Sequence, residues 1–587
     1  MNKCKVCCFW RNFGPASNEP PKAIKELFKK YKSKEGVMGA KELVHFVNNE
    51  QRDNTITQEM AQEMIKKINT TRKKKYPKAL QKKDQPIKDY LSVNGFYLFL
   101  YSDYNAALPP TGVYQDMNAP LSHYFIFTGH NSYLTGNQLT SDCSDIPIIN
   151  ALERGVRVIE LDLWRCKKNK DDVEVRHGGT LTSPVELIRC LESIKEHAFT
   201  ESNNYPVIIT FEDHLTSYPK LQGKVAEMLT DTFGEMLYTT KSVEKFPSPA
   251  ELKGKILIST KPPKVQELNE HDEEASDSDY KHDSANKKLS EDVQEGEEEE
   301  EHDEDDANSN CITEYIHRIA IIAKKFKKDD YVGALRIDPQ KVTRLSLSES
   351  ELKSAVGSHA TKIIRFTQRN LLRIYPSGLR INSSNYNPLL GWAHGAQMVA
   401  LNMQGYGHEL WMMQGMFRAN GGCGYVKKPD ILLNDDPQPV FFLNSLPVKK
   451  ILKVKVYAGD GWRFHFNEHY FDCCSPPDFY TVVGIVGVQN DTVKKKTKVI
   501  EDDWTPIWDQ EFEFPLTVPE LALLQIEVYE HDITNRDDFA GQTYLPVWEL
   551  RTGIRSISLC DEKGDTLPSV KLLLYLDFEN VYSCGIN

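Results

Sequence analysis

Apolar residues in the first hundred positions recur at spacings of three and four over Ala23–Tyr31, Ala40–Asn48 and Gln58–Ile68, which predicts three helices. From Tyr124 the rhythm changes. Short apolar runs at Tyr124–Phe127, Val156–Trp164, Val173–Arg176, Val207–Glu212 and Ile256–Ser259 read as strands, and the helically periodic Pro184–Phe199 and Lys220–Leu229 alternate with them. Such alternation predicts a parallel sheet, either doubly wound or closed into a barrel. It resumes at Leu371–Tyr375 and Met398–Asn402. Two half-domains can therefore close one (β/α)8-type TIM barrel of about 250 residues. From about Val448 the pattern becomes all-β: Leu452–Val456, Phe479–Val488, Thr497–Ile500, Glu511–Phe514, Leu523–Tyr529 and Lys571–Phe578 alternate apolar and polar residues between turn signals such as Gly459–Gly461 and Asn490–Asp491.

At 587 residues the chain exceeds one hydrophobic core and divides into roughly three or four domains. No run has the apolar length to cross a bilayer, and the N-terminal stretch lacks the continuous apolar segment of a secretory signal. Twelve cysteines without framework spacing predict reduced thiols. Cys4, Cys7 and Cys8 fit ordinary free thiols best, with an acyl acceptor or a metal site as alternatives. The net charge of −12 is concentrated: between Asp272 and Asp306 stand 18 acidic residues against three lysines, leaving the rest slightly basic. That segment is nearly devoid of apolar residues and repels itself, so residues 263–311 are expected to be a disordered linker.

A twelve-residue loop over 31–42 places Gly36 at its sixth position and Glu42 at its twelfth, as in an EF-hand. Tyr31 stands where the first carboxylate belongs, and Ser33 and Glu35 occupy the third and fifth positions. A degenerate, structural EF-hand is expected, without a calcium cage.

Four short pieces carry candidate chemistry: Gly129–Ser132, Glu160–Asp162, Arg176–Gly179 and Phe211–His214. Each falls at or just past the C-terminal end of a predicted strand, the face on which barrel active sites are built. Glu160 and Asp162 are two apart, so both leave one side of their strand, and Glu212 shares a side with Ile208 and Thr210. Three carboxylates and the amide oxygen of Asn131 make a hard-oxygen set suited to calcium rather than zinc. Each piece alone is weak. All four in order are not.

The stretches PLSHYFIFTGHNSYLTGNQL, GVRVIELDLW, RHGGTLTSPVEL, YPVIITFEDH and LKGKILIST resemble the X half of eukaryotic phosphoinositide-specific phospholipase C. LLRIYPSGLRINSSNYNPLLGWAHGAQMVALNMQ and NGGCGYVKKP resemble its Y half. The likeness runs from about Ala119 to the C-terminus, and a short EF-hand-like start without room for a pleckstrin-homology domain is similar to the compact plant-type members. The resemblance implies a multidomain α/β chain: a helical EF-hand-like region over 1–107, an X half over 108–262, the acidic linker, a Y half over 312–435 and a C2 sandwich over 446–580. It implies calcium on Asn131, Glu160, Asp162 and Glu212, with His130 and His177 catalytic and Glu160 or Glu212 taking a proton. The implied reaction is calcium-dependent hydrolysis of phosphatidylinositol 4,5-bisphosphate and related lipids to inositol trisphosphate and diacylglycerol in signalling, through attack of the inositol 2-hydroxyl on the 1-phosphate. Lys261, Ser346 and Arg373 are implied as contacts for the ring phosphates, with Tyr375 against the ring. Where many animal members carry two lysines this chain has Lys261 alone, which leaves the preferred phosphoinositide open.

The terminal sandwich resembles a C2 domain. Asp472 and Asp478, Asp502 and Asp503, then Glu530, Asp532, Asp537 and Asp538 lie in three groups of loops. Converging at one end they form an anionic cup relieved by calcium, and Lys494–Lys496 add a basic stripe for anionic headgroups. The expected partners are a phosphoinositide substrate and an anionic membrane surface, with no nucleic acid and a monomeric chain. The expected place is the cytoplasm and the cytoplasmic face of the plasma membrane. Two alternatives stand beside this reading: a catalytically silent, calcium-regulated membrane adaptor, and a glycerophosphodiester phosphodiesterase.

Overall fold

The computed structural model describes the chain apart from residues 1, 7–8, 14–19, 76–88, 110–111, 241–243, 262–300, 328–329, 435–445, 467–469, 472–475, 533–535 and 582–587; of residues 2–6, 9–13, 71–75 and 301–307 it describes the backbone only. Cys7, Cys8, Asp472 and most of the acidic segment therefore fall outside it, as does the side chain of Cys4. Cys143, Cys166, Cys190, Cys311, Cys423 and Cys560 are free thiols.

The chain forms two compact bodies. One comprises residues 1–113, 411–421 and 440–587. Its helices α1 (Lys22–Tyr31), α2 (Ala40–Glu50), α3 (Gln58–Lys75) and α4 (Val93–Leu100) follow the threes-and-fours spacing of their apolar residues. Phe28, Phe46, Phe96 and Phe99 meet in one buried cluster that also takes in Ile554 and Leu573 of the sandwich. In the EF-hand-like loop Gly36 adopts φ 85°, and Met38 exchanges backbone hydrogen bonds of 3.0 and 2.8 Å with Leu91. Glu42, at the position of a bidentate calcium ligand, instead accepts from the Gly39 amide at 3.0 Å and caps α2. Tyr31 is buried against Phe46.

The second body, residues 114–410 and 422–439, is built on eight parallel strands. These are β1 (Thr128–Gly129), β2 (Val158–Arg165), β3 (Val207–Asp213), β4 (Ile256–Thr260), β5 (Ile319–Ile322), β6 (Arg344–Ser348), β7 (Leu371–Tyr375) and β8 (Met398–Leu401). Each pairs with its sequence neighbour, β8 returns to β1, and a parallel bridge between Ala323 and Arg344 joins β5 to β6. The ring is closed. Near-continuous burial along these strands suits a sheet covered on both sides. Of the surrounding helices, α5 (Ile146–Glu153), α6 (Leu187–His197) and α7 (Pro219–Phe233) follow the first three strands, and α9 (Glu349–Arg369) follows β6.

The crossover from β4 to β5 departs from expectation. Residues Glu301–His317 form a helix, α8, so the acidic linker expected over 263–311 ends earlier than its composition suggested. Parallel strands require a crossover of this kind. Cys311 packs onto Gly223 of α7 so closely that a Cβ added there would stand 2.9 Å from its sulfur, and Tyr315 is fully buried. Apolar residues in the last two turns thus outweigh the charge of the first. Tyr315→Ala is expected to destabilise the barrel by about 3–5 kcal/mol, the usual cost of emptying a buried aromatic site. Denaturant unfolding measures it, and a change near zero would return α8 to the status of a tether.

In the first body the sandwich strands are β9 (Lys450–Asp460), β10 (Phe479–Val486), β11 (Val493–Lys496), β12 (Ile507–Leu516), β13 (Leu523–Glu530), β14 (Asp538–Pro546), β15 (Gly553–Cys560) and β16 (Thr566–Asn580). They form two antiparallel four-stranded layers, β11-β10-β13-β14 and β15-β16-β9-β12, linked by the single pair Gln542–Cys560. Trp462, Trp508, Phe479 and Phe514 fill the core between them. The expected strand over Thr497–Ile500 is absent: residues 493–496 pair with β10 instead, and Ile500 makes one isolated bridge to Phe479.

Candidate active site

Glu160 and Asp162 project from the same side of β2 because side chains alternate along a strand. The register with β3 sets Glu160 beside Thr210 and Asp162 beside Glu212. Carboxylate oxygens of Glu160, Asp162 and Glu212 lie within 4.8 Å of one another, and among the described residues this is the one cluster of three metal-ligating side chains. Asp162 Oδ2 accepts from the Tyr133 hydroxyl at 2.7 Å, whereas its Oδ1 is buried without a partner. Burial, and then the charges of Glu212 and Glu160, hold the Asp162 carboxyl well above the usual carboxylate range. Glu212 keeps an exposed side chain; the protein crowding it raises its carboxyl, but the hydrogen bond and charge of His214, 3.0 Å away, bring it below the ordinary value. His214 is fixed in turn by stacking on Trp164, 3.8 Å between ring centroids. Glu160 faces Arg373 of β7 at 2.5 Å and accepts from the Asn131 amide at 3.1 Å. The strands β2 and β7 are not neighbours, so this ion pair crosses the barrel interior.

Asn131 takes a left-handed conformation, φ 41°, which asparagine tolerates better than most residues. Its Nδ2 donates to Gln138 Oε1 at 2.9 Å, which leaves Oδ1 as the atom to offer a cation. Three mutually repelling carboxylates, an unsatisfied buried oxygen and an amide oxygen fit a hard divalent ion. Calcium suits them by donor type.

The two histidines are held alike. His130 Nδ1 is 2.9 Å from Asn402 Oδ1, and His177 Nδ1 is 2.7 Å from the Gln138 carbonyl. A carbonyl oxygen only accepts, so each ring keeps its proton on Nδ1 and turns Nε2 elsewhere. Burial lowers the His130 pKa, Glu160 partly offsets this, and Arg373 adds to it. His177 reaches its place because Val173–Val175 folds back antiparallel onto β2 and the Arg176 amide donates to the Asp162 carbonyl at 3.3 Å. A Cβ on Gly178 would come within 2.2 Å of the Trp164 ring, so only glycine follows His177 here.

Of the implied substrate contacts, Ser346 and Arg373 stand side by side in register, Tyr375 stacks under the Arg373 guanidinium at 5.5 Å, and Lys261 is exposed just past β4. Hydrogen bonds link several of the described acids of the sandwich loops, but their oxygens do not gather as the barrel carboxylates do. Asp478 Oδ1 accepts from the Asp502 amide at 2.8 Å and its carbonyl from the His531 amide at 2.8 Å, while Asp503 Oδ1 accepts from the Thr505 amide. Asp537 accepts from Tyr480, His531 and the Asp532 amide. Glu530 is buried at the end of β13, paired with Phe479 of β10 and with Asp538, the first residue of β14. Lys494, Lys495 and Lys496 are exposed along β11.

Sequence models of four families match the chain: the X domain of phosphatidylinositol-specific phospholipase C over 117–262, its Y domain over 318–431, a C2 domain over 450–558 and the EF-hand-like region of phosphoinositide-specific phospholipase C over 20–109. Phosphoinositide phospholipase C 2 of Arabidopsis thaliana is 52% identical across 98% of this chain and 99% of its own length. The chain belongs to the phosphoinositide phospholipase C family. The 1-phosphatidylinositol 4,5-bisphosphate phosphodiesterase delta-3 of Mus musculus is 32% identical over 95% of this chain and 68% of its own. The crystal structure of L. pealei PLC21 superposes with a TM-score of 0.70 at 23% identity over 96% of this chain and 69% of its own, a likeness of fold.

Gln138, Asn402 and Tyr133 were not singled out in the sequence. Gln138 joins the parts of this phospholipase site: its carbonyl holds His177, its Nε2 donates to Asn402 at 3.1 Å, and its Oε1 orients Asn131. Gln138→Leu is expected to lower turnover about 10- to 100-fold, the usual loss when a group that orients a reacting side chain is removed. Steady-state kinetics beside a melting curve decide it. Unchanged turnover would show that the histidines hold their places unaided.

Proposed function

We propose that the chain cleaves phosphatidylinositol 4,5-bisphosphate and related phosphoinositides to diacylglycerol and inositol trisphosphate in a calcium-dependent reaction at the cytoplasmic face of the plasma membrane. The observation that carries this reading is the carboxylate cluster, facing Arg373 and flanked by two histidines with fixed tautomers. Glu160, Asp162, Glu212 and Asn131 would hold the ion. Bound there, it supplies Lewis acidity that lowers the pKa of a hydroxyl and neutralises charge on phosphoryl oxygens.

The remaining steps belong to the chain's own residues. Glu160 is paired in charge with Arg373 and accepts from the Asn131 amide, so the exposed Glu212 is the carboxylate assigned here to take the proton of the inositol 2-hydroxyl. The oxygen–phosphorus bond then forms, and the bond to the glycerol oxygen breaks. His177, once protonated, donates from Nε2 to that leaving oxygen. His130 donates from Nε2 to a phosphoryl oxygen in its imidazolium form, which burial disfavours and the anionic phosphate favours. Water opens the cyclic phosphate by the reverse transfers. Arg373 and Ser346 engage ring phosphates, with Lys261 at the rim and Tyr375 against the ring.

Approach to a lipid surface has physical support in the barrel body. Leu139, Leu181, Leu379, Ile381 and Tyr406 are exposed, Leu181 and Leu379 at 85% and 89%. Backbone hydrogen bonds from Leu181 to Leu139 and from Gln138 to Ile381 draw three of these loop positions together. An exposed apolar patch on a soluble surface marks an interaction site. Among the described residues no helix is long and apolar enough to span a membrane. The hydrogen-bonded loop acids of the C2 domain and its exposed lysines support calcium-assisted docking to anionic headgroups.

The test is hydrolysis of phosphatidylinositol 4,5-bisphosphate vesicles and of glycerophosphocholine, each with calcium and with chelator. Cleavage of the phosphoinositide alone, lost in chelator, is expected. Calcium-dependent vesicle binding without cleavage would establish the adaptor instead.

A further inference from the structure

A residue to which the reaction above gives no part lies at the floor of the site. Arg344 opens β6 and stands in register beside Leu371, one layer below the Ser346–Arg373 pair, on the same side of the sheet. Since Arg373 meets Glu160 across the barrel, that side is the interior. Arg344 is 5% exposed, its Nε has no hydrogen-bond partner, and among the described residues no carboxylate forms an ion pair with it. Burial and the neighbouring Arg373 lower its pKa to about 9, an effect that Glu160 offsets only in part. A buried, unpaired guanidinium is costly to keep and is repaid by an anion. The carboxylate whose charge acts on it, Glu160, is already paired with Arg373.

We propose that Arg344 is a second guanidinium of the ring-phosphate subsite, taking with Arg373 a phosphomonoester on the substrate's inositol ring and so setting the preference for phosphorylated over unphosphorylated headgroups. The inference rests on the phospholipase reading given above. Two guanidiniums offer planar forks of donors, which suit a dianionic phosphate better than a single lysine does. They add cationic charge to that of Lys261 at the rim.

The experiment compares full-length wild-type, Arg344→Met and Arg344→Lys on vesicles of phosphatidylcholine containing either phosphatidylinositol 4,5-bisphosphate or phosphatidylinositol, at saturating calcium. Arg344→Met should lower kcat/KM on the bisphosphate about 30-fold or more and on phosphatidylinositol by less than about threefold, with Arg344→Lys between. Removing a buried unpaired charge should leave the melting temperature of the free protein equal or higher. Free inositol 1,4,5-trisphosphate should raise the wild-type melting temperature and not that of Arg344→Met, and inorganic phosphate at the same concentration should raise neither. An equal fall on both lipids would make Arg344 a counter-charge for the acid cluster and overturn the proposal, as would full activity on the bisphosphate or equal protection by inorganic phosphate. If the methionine variant does not fold, the ratio of the two lipids in the lysine variant decides. Wild-type protein that cleaves neither lipid would overturn the phospholipase reading itself, a result separable from loss of discrimination.

Discussion

Asp162→Asn is expected to lower calcium-supported hydrolysis of phosphatidylinositol 4,5-bisphosphate by about three orders of magnitude, or some 4 kcal/mol of transition-state stabilisation, while leaving the protein folded. Asp162 is the most buried of the three carboxylates, with one oxygen on Tyr133 and the other without a partner. The amide keeps the shape and loses the charge. The same substitution should raise stability in chelator. Burial and the charges of Glu212 and Glu160 place the folded-state pKa of Asp162 above its unfolded value, so the folded protein binds this proton more tightly than the unfolded chain does. Stability from this group is therefore greatest at low pH and falls as pH rises from the unfolded value through the folded one. The variant lacks that slope. Melting temperature against pH in chelator, wild-type beside variant, reads it directly. Turnover within tenfold of wild-type, or a steeper loss of stability with pH in the variant, would contradict the account.

His130→Ala and His177→Ala should each lower turnover by two or more orders of magnitude, the usual worth of a positioned proton donor, and leave vesicle binding intact. Each ring is held by a carbonyl at Nδ1, so each acts through Nε2 alone. Burial lowers the His130 pKa, and an anionic phosphate in place favours its imidazolium form. Removing His130 should therefore affect kcat more than KM. Vesicle co-sedimentation beside initial rates separates the two effects. Near-normal turnover in either variant would remove that histidine from the mechanism.

The acid cluster was legible because strand periodicity and strand ends are local: Glu160 and Asp162 share a face by being two apart, and β3 ends at Glu212 and Asp213. The partners of the histidines were not, since Asn402 lies just past β8 and meets His130 only because β8 pairs with β1 on closure of the ring. Arg344 was hidden for the same reason. In sequence it is one basic residue at the start of a strand, and its isolation appears only when the interior is assembled. Charge counting misjudged α8, because averaging across 272–306 masks Cys311 and Tyr315 just beyond, which anchor a helix on α7. In the sandwich, β14 and β15 escaped notice: Gly541 at φ 131° and the register shift after Val528 interrupt the alternation in β14, and β15 opens on Gly553 at φ 95°.

A crystal soaked in calcium tests the central claim most directly. The account predicts one anomalous peak enclosed by Glu160, Asp162 and Glu212, with carboxylate oxygens about 2.3–2.6 Å away and the Asn131 amide oxygen turned toward it. Full occupancy elsewhere in the same crystal, with no density among these three side chains, would contradict it.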